Sequence, residues 1–327
     1  MQQRTMGRLG WNVGEIGYGM WGIGGGPGGF TGWDYGIAPD ALDLAVDLGA
    51  TFFDTAWVYG RGVSEQMLGE LRRRRPDAGL RLATKIPPLN REWPPRPQDT
   101  LEDVFPTEHI VEYTKRSLDN LGVDRIDLLK LHVWEDRWAG EPGWQRAVTR
   151  LKEEGLIGGF GISVNRWEPA NCFQALDTGL VDAVQVIYNV FDQSPEDELF
   201  PRALEKNIAI VARVPFDEGA LTGTMSLDST FPAEDWRAIY FGPENLPPTI
   251  ARVEALRELV PAGMTMPELV LRFILHHPAV STVIPGMRRP EHVRANLAVS
   301  DGVPLAPELV DALRAHRWDR KPTHWSM

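Results

Sequence analysis

FFDTAWVYGRGVSE, residues 52–65, is the stretch of sequence that decides the fold. Two phenylalanines lead to an acid, Asp54, and a tyrosine, Tyr59, follows five residues later. Glycines then lead to Ser64, a residue type that favours the N-cap of a helix. The pattern predicts a strand, a turn and a helix, with Asp54 and Tyr59 at the carboxyl end of the strand.

Composition limits the classes of protein to which this chain can belong. It has 327 residues, 43% of them hydrophobic, and a formal net charge of −11. Nucleic acids and anionic membranes bind basic proteins, so neither is expected as a partner. Cys172 is the only cysteine, which excludes a disulfide within the chain. With no signal-peptide pattern and no apolar run of membrane-spanning length, we expect a cytoplasmic protein, either a monomer or a homo-oligomer.

Short β-type runs alternate with helical patterns along almost the whole sequence. The predicted strands are residues 15–20, 51–54, 81–85, 126–132, 158–163, 183–188, 208–213 and 281–284. The predicted helices are residues 39–48, 64–74, 107–121, 143–154, 168–179, 195–206, 266–276 and 291–298, with a further one at 249–259. Thr107 is the expected cap of its helix, and Gly122 the expected stop. Eight strands, each followed by a helix, predict a single (β/α)8 barrel domain over residues 1–327.

Three long connections, residues 22–38, 87–106 and 214–248, each follow a predicted strand. In a barrel they lie over the carboxyl ends of the strands, the face that carries active sites. Their aromatic residues are Trp33, Trp93, Trp236, Tyr240 and Phe241. Such rings either pack the loops against the barrel or line the mouth of a pocket, and the sequence leaves both readings open.

Residues 24–29, GGGPGG, match the glycine spacing of a dinucleotide-binding Rossmann motif. That motif binds phosphate only where it opens a helix directly. Here Pro27 interrupts the run, and no helical period begins before about Pro39. The segment therefore predicts a flexible loop, and a Rossmann domain is not expected.

Charged and polar side chains end three successive predicted strands: Asp54, Lys85 and His132, with Tyr59 close behind the first. In a barrel such residues converge on one site. A buried Lys85 beside the phenol is expected to lower the pKa of Tyr59 from about 10 towards neutrality, while Asp54 keeps the lysine charged. His132 is expected to donate a hydrogen bond to a substrate oxygen. A metal site is not predicted, because no second histidine or cysteine lies at ligand spacing.

Two segments resemble the signatures of the aldo-keto reductases. The first is FDTAWVYGRGVSEQMLG at residues 53–69, and the second is SLDNLGVDRIDLLKLH at residues 117–132. The resemblance extends over essentially the whole chain and is closest to bacterial inositol-associated and general-stress members of the family. It implies that Tyr59 donates a proton, that Lys85 and Asp54 tune it, and that His132 orients the carbonyl.

The same resemblance implies a nicotinamide dinucleotide, bound without a Rossmann domain. Ser163, Asn165 and Gln185 resemble the residues that hold the carboxamide, and Arg213 resembles the residue that stacks on the nicotinamide. The further cofactor-binding residues that it implies are Trp21, Pro215, Gly219, Leu221, Gly286, Arg288, Arg289 and Asn296. The adjacent arginines Arg288 and Arg289 favour a ribose 2′-phosphate, and so NADPH/NADP+ ahead of NADH.

Three tryptophans, Trp21, Trp57 and Trp134, are expected to line the substrate pocket. Flat aromatic walls accept aryl aldehydes, steroids or the apolar faces of sugars, so they do not identify the substrate. The predicted function is NAD(P)H-dependent reduction of a small-molecule aldehyde or ketone, or the reverse oxidation of an alcohol or sugar. Two alternatives remain open: a cofactor-binding redox sensor similar to channel β-subunits, and a barrel isomerase or lyase with no redox step.

Overall fold

The eight predicted strands are all present in the structure, a computed structural model that describes residues 1–25, 29–32 and 36–320. An antiparallel hairpin of β1 (Gln3–Thr5) and β2 (Asn12–Gly14) precedes them. The strands are β3 (Tyr18–Gly19), β4 (Phe52–Asp54), β5 (Arg81–Ile86), β6 (Ile126–Leu131), β7 (Ile157–Ser163), β8 (Ala183–Ile187), β9 (Ala209–Arg213) and β10 (Val280–Val283). They form one parallel sheet in sequence order. Isolated bridges from Ile16 to Val283 and from Gly19 to Gly286 bring its two edges together, which confirms the predicted barrel.

Helices follow the strands on the outside of the barrel. They are α1 (Trp21–Gly24), α2 (Ala38–Asp47), α3 (Val63–Arg74), α4 (Leu101–Val104), α5 (Thr107–Leu121), α6 (Pro142–Glu153), α7 (Phe173–Asp177), α8 (Leu199–Lys206), α9 (Trp236–Tyr240), α10 (Leu246–Arg257), α11 (Met266–His276), α12 (Pro290–Ala298) and α13 (Pro307–Arg314). Two are shorter than predicted: turns occupy residues 169–172 before α7, and the 3-10 turn Ser194–Glu196 precedes α8. Within the described residues, no helix is both long and apolar enough to cross a membrane.

Two predicted helix caps are wrong, and one predicted stop is confirmed. α3 begins at Val63 with Gly62 as its N-cap, at φ 97°, so Ser64 lies inside the helix. The Ser64 hydroxyl instead accepts a hydrogen bond from Thr55 Oγ1 at 2.7 Å, which ties the helix to the end of β4. Thr107 is the first residue of α5 and Pro106 its N-cap, whereas Gly122 ends that helix at φ 62°, as predicted.

The interior of the barrel is built in two layers, because alternate residues of each strand point inward. The lower layer is apolar, and Met6 and Val13 of the N-terminal hairpin close it from below. Its strand residues include Phe52, Ala83, Leu128 and Ala183. The inward positions two residues further along the same four strands are Asp54, Lys85, Lys130 and Gln185, all buried. The polar layer that carries the site therefore lies directly on the apolar core.

Two of the long loops meet over the mouth of the barrel. The Asp235 carboxylate accepts hydrogen bonds from the Thr31 amide and hydroxyl, both at 2.8 Å. The Arg237 guanidinium lies between Phe30 and Phe231, 4.9 and 4.8 Å from the two ring centres. Among the loop aromatics, Tyr240 and Phe241 are buried and pack the loop down. Trp33 lies outside the described residues, and so does half of the glycine run, Gly26, Pro27 and Gly28.

Candidate active site

Asp54, Lys85 and Tyr59 form a hydrogen-bonded chain at the carboxyl ends of β4 and β5. The Lys85 ammonium donates to Asp54 Oδ1 at 2.5 Å, to the Thr55 carbonyl at 2.7 Å and to Tyr59 Oη at 3.2 Å. Asp54 and Lys85 are buried, whereas Tyr59 is partly exposed at the mouth of the barrel. The convergence that the sequence predicts is therefore present, with the phenol at the accessible end of the chain.

Lys130 is a member of this cluster that the sequence reasoning missed. Its side chain is fully buried, and its ammonium donates to Asp54 Oδ2 and, at 2.6 Å, to Gln185 Oε1. One carboxylate thus faces two ammonium groups. The sequence does contain a pattern that indicates Lys130. It lies two residues before His132 in an apolar strand, so both side chains point to the same face of the sheet.

The pKa values of the acid and the phenol are shifted in opposite directions: that of Asp54 is lowered and that of Tyr59 is raised. Burial would raise the pKa of Asp54, but the ammonium groups of Lys130 and Lys85 hold it below its ordinary value. Burial raises the pKa of Tyr59, and the Asp54 carboxylate raises it further. The expectation that Lys85 brings the phenol's pKa towards neutrality is therefore wrong. Asp54 lies 2.5 Å from Lys85, so the phenol faces a neutralised ion pair rather than a free cation.

His132 lies beside Tyr59 at the end of β6, with the two ring centres 5.9 Å apart. Burial lowers the pKa of His132 well below its ordinary value, and the neighbouring cations Lys85 and Arg213 lower it further. The imidazole is therefore neutral at neutral pH and keeps one N–H to donate. Trp93, from the loop after β5, packs edge-on against the imidazole at 5.8 Å, a contact that the sequence did not identify.

Gln185 and Ser163 occupy paired positions on neighbouring strands, and both are buried. Gln185 faces the barrel interior, and its Nε2 donates to Asp54 Oδ1 at 3.3 Å. Asn165 lies just beyond β7, where its side-chain oxygen accepts the Glu168 amide at 2.9 Å. Ser163 and Gln185 are therefore closer to the catalytic cluster than Asn165, whose carbonyl is used in a local turn.

Arg213 ends β9, and its Nη2 donates to the Val164 carbonyl at 3.4 Å. Pro215 follows as a buried residue. In the next turn, Asp217–Thr222, the amides of Gly219 and Leu221 both donate to the Phe216 carbonyl, at 2.9 and 3.0 Å. These two amides are thus hydrogen-bonded within the loop, and the Leu221 side chain is part of the core.

A buried ionic network fixes this turn to the C-terminal segment. Asp217 accepts a hydrogen bond from Arg320 at 2.8 Å and lies 3.5 Å from Arg166. Arg166 in turn lies 3.2 Å from Asp192, after β8, and donates to Tyr240 Oη at 2.8 Å. Because two carboxylates balance two guanidinium groups, the network can stay charged while buried. This network could not be predicted from the sequence, since its members lie far apart in the chain.

The last four of the predicted cofactor-binding residues lie just before α12 or within it. Gly286 and Arg289 are exposed, and Arg289 is the N-cap of the helix, 3.8 Å from Glu291. Arg288 points towards the loop after β3, where it donates to the Thr31 carbonyl at 2.6 Å. Asn296 is buried and lines a cavity of about 470 Å³ between α11 and α12. The two arginines thus have different surroundings: Arg289 is exposed, whereas Arg288 is only partly exposed.

The three tryptophans predicted for the substrate pocket lie in different places. Trp21 lies 6.3 Å from Tyr59, between ring centres, at the mouth of the barrel. Trp57 packs edge-on against Tyr113 at 4.9 Å and is partly exposed. Trp134 is buried against Trp144 at 5.2 Å, so its assignment to the pocket is wrong. The part of the chain that the structure describes contains no group of three or more His, Cys, Asp or Glu residues that could hold a metal ion.

The fold and the cluster define a (β/α)8 barrel with a lysine-linked tyrosine and a neutral histidine at its catalytic face. The sequence model of the Aldo/keto reductase family matches residues 15–317. The chain therefore belongs to the aldo/keto reductase family, whose members are oxidoreductases that act on carbonyl and alcohol groups.

Individual relatives agree with this assignment. The uncharacterized oxidoreductase YqkF of Bacillus subtilis (strain 168) is 30% identical, and the match covers 97% of this chain and 96% of YqkF. An NADH-specific methylglyoxal reductase of Escherichia coli (strain K12) is 27% identical, with 91% and 93% covered. The holo form of the aldo-keto reductase AKR11C1 from Bacillus halodurans has a TM-score of 0.77 at 26% identity and 99% coverage of both chains.

Proposed function

We propose that this chain reduces a small-molecule aldehyde or ketone with a nicotinamide dinucleotide, and can oxidise the corresponding alcohol, with Tyr59 as the general acid or base. The observation that carries the proposal is the chain from Asp54 through Lys85 to Tyr59, with the phenol at the accessible end. His132 beside the phenol completes a site that can donate two hydrogen bonds to one carbonyl oxygen.

The residues above the strand ends fit such a cofactor. Several buried side-chain nitrogens in the described part of the chain have no hydrogen-bond partner, and two of them, His132 Nδ1 and Arg213 Nε, lie at these strand ends. Buried polar atoms without partners favour a polar ligand at that place. A nicotinamide dinucleotide would supply the hydride when bound. The residues proposed to hold it are Ser163, Asn165 and Gln185 at the carboxamide, Trp21, Arg213 and Pro215 near the ring, Gly219 and Leu221 in the loop that covers the pyrophosphate, and Gly286, Arg288, Arg289 and Asn296 at the adenosine.

Proton delivery follows from the charges on this chain's own residues. Tyr59 and His132 donate hydrogen bonds to the substrate oxygen and orient the carbonyl. As negative charge develops on that oxygen, Tyr59 transfers its phenolic proton to it. The tyrosinate that remains is stabilised by the Lys85 ammonium at 3.2 Å. Asp54 keeps this ammonium protonated in a buried position, where a lone lysine would lose its proton.

Arg289 supports a preference for NADPH, because an exposed guanidinium at a helix N-terminus attracts a phosphate dianion. Its present partner Glu291 is 3.8 Å away and exposed, so the ion pair is weak and easily exchanged. We expect NADPH to bind about tenfold more tightly than NADH, the value of one charge-assisted hydrogen bond. Quenching of tryptophan fluorescence on titration with each cofactor measures the two dissociation constants.

The Arg289→Leu variant should lose this advantage for NADPH and bind NADH as before. Arg294→Leu, which removes an exposed arginine of the same helix, serves as the matched control. Tighter binding of NADH by the wild type would overturn the NADPH preference. Binding of neither cofactor would instead favour the isomerase or lyase reading, and binding without turnover on a panel of aldehydes, ketones and sugars would favour a sensor.

A further inference from the structure

Lys130 connects two parts of the site that the proposed mechanism treats separately. Its ammonium donates to Asp54, the acid end of the proton-donating chain, and to Gln185 Oε1 at 2.6 Å. Gln185 also donates its Nε2 to Asp54 Oδ1 at 3.3 Å. All three side chains are at most 2% exposed, so no water competes for these hydrogen bonds.

The chemistry of these neighbours determines which way the Gln185 amide points. An ammonium group can only donate, so the Gln185 atom that faces Lys130 must be its carbonyl oxygen. A carboxylate can only accept, so the Gln185 atom that faces Asp54 must be its nitrogen. A reversed amide would place N–H against an ammonium and C=O against a carboxylate. Lys130 and Asp54 together therefore hold the amide in one orientation.

The position of Lys130 depends on a glycine in the next strand. Gly161 pairs with Lys130 across β6 and β7. A Cβ at position 161 would lie 3.0 Å from Lys130 Cγ and 2.8 Å from the Ala183 carbonyl. Contacts this close would displace the lysine stem, so the glycine leaves the room in which Lys130 reaches Gln185.

We propose that Lys130 is a positioning residue for the cofactor: it fixes the amide of Gln185 so that Gln185 offers an N–H, and not its carbonyl oxygen, to the nicotinamide carboxamide. This inference rests on the proposed function, in which Gln185 contacts that carboxamide. Lys130 itself is fully buried, and it affects the cofactor only through Gln185.

The effect of Lys130 on folding can be separated from its effect on cofactor binding, because burial destabilises the charged form of Lys130. Burial lowers the pKa of Lys130 to about 7, although Asp54 opposes the shift. A methionine at this position fills a similar volume without a charge, and Asp54 keeps its bond to Lys85. In the Lys130→Met variant, Asp54 and Lys85 still neutralise each other. We therefore expect its melting temperature to equal or exceed that of the wild type.

A double-mutant cycle on cofactor binding tests the proposal. Lys130→Met should weaken NADPH binding about tenfold, the value of one hydrogen bond at a buried site. Gln185→Leu should weaken it at least as much, and the double variant should be no weaker than Gln185→Leu alone. Lys115→Met, which alters an exposed lysine of α5, is the control and should bind as the wild type does.

Two results would overturn the inference: a Lys130→Met variant that binds NADPH within twofold of the wild type, or losses that add in the double variant. Should Lys130→Met fail to fold, Lys130→Leu replaces it in the same cycle, since it also removes both the donor and the charge. If the wild type itself binds no dinucleotide, the proposed function fails instead, so the two failures are distinguishable.

Discussion

The Tyr59→Phe variant is expected to bind NADPH with unchanged affinity and to reduce aldehydes about 10²–10⁴-fold more slowly than the wild type. The substitution removes one oxygen atom, the one that accepts the Lys85 hydrogen bond and carries the transferable proton. The ring and its packing 6.3 Å from Trp21 remain. Single-turnover reduction at saturating NADPH measures the chemical step, and fluorescence titration measures binding in the same preparation.

Tyr113→Phe is a matched control, because it removes the same atom from a buried tyrosine of α5 outside the cluster. This control should retain wild-type turnover. Reduction by Tyr59→Phe at a rate close to that of the wild type would remove Tyr59 from the mechanism and favour a different proton donor.

The largest effect on stability is expected for Asp54→Asn. In the native protein one carboxylate faces the ammonium groups of Lys85 and Lys130, all three side chains being at most 2% exposed. Removing its charge leaves two buried cations without a counterion, which costs about 3–5 kcal/mol of unfolding free energy. Because lysine lowers this cost by losing its proton, the deficit should shrink as the pH rises. Urea denaturation at several pH values measures both effects.

Two further variants show whether the deficit comes from uncompensated charge. Asp177→Asn removes an exposed carboxylate 2.7 Å from Arg202, and should cost less than about 1 kcal/mol. The double variant Asp54→Asn with Lys130→Met removes one of the two stranded cations and should recover part of the lost stability. A single Asp54→Asn variant within about 1 kcal/mol of the wild type would contradict the charge balance described for this cluster.

The barrel and the catalytic strand ends could be predicted because the pattern that encodes them is local. Strands such as residues 126–132 are short apolar runs between turns, and parallel strands bring their carboxyl ends to one face. Asp54, Lys85 and His132 were predictable from this rule alone. The N-terminal hairpin was not, because strands of three residues such as β1 and β2 are too short to show a period.

The electrostatics of the site could not be predicted, because they depend on contacts between distant residues. The sequence places Lys85 near Tyr59 but does not show that Asp54 neutralises that lysine, so the predicted pKa shift of the phenol had the wrong sign. Ser64 fits an N-cap by residue type, yet its hydroxyl bonds to Thr55 across the loop. Trp134 lies two residues after His132 but turns into the core.

The pH dependence of the chemical step tests most directly the claim that Tyr59 is a protonated acid at neutral pH. Its pKa is raised above the ordinary value, so carbonyl reduction, which needs the proton, should stay constant from about pH 6 to about pH 9. Alcohol oxidation, which needs the tyrosinate, should rise through the same range. The Lys130→Met variant removes a buried group of the same cluster, whose pKa is about 7, and should keep both trends. A reduction rate that falls with an apparent pKa near neutrality in both proteins would contradict the account.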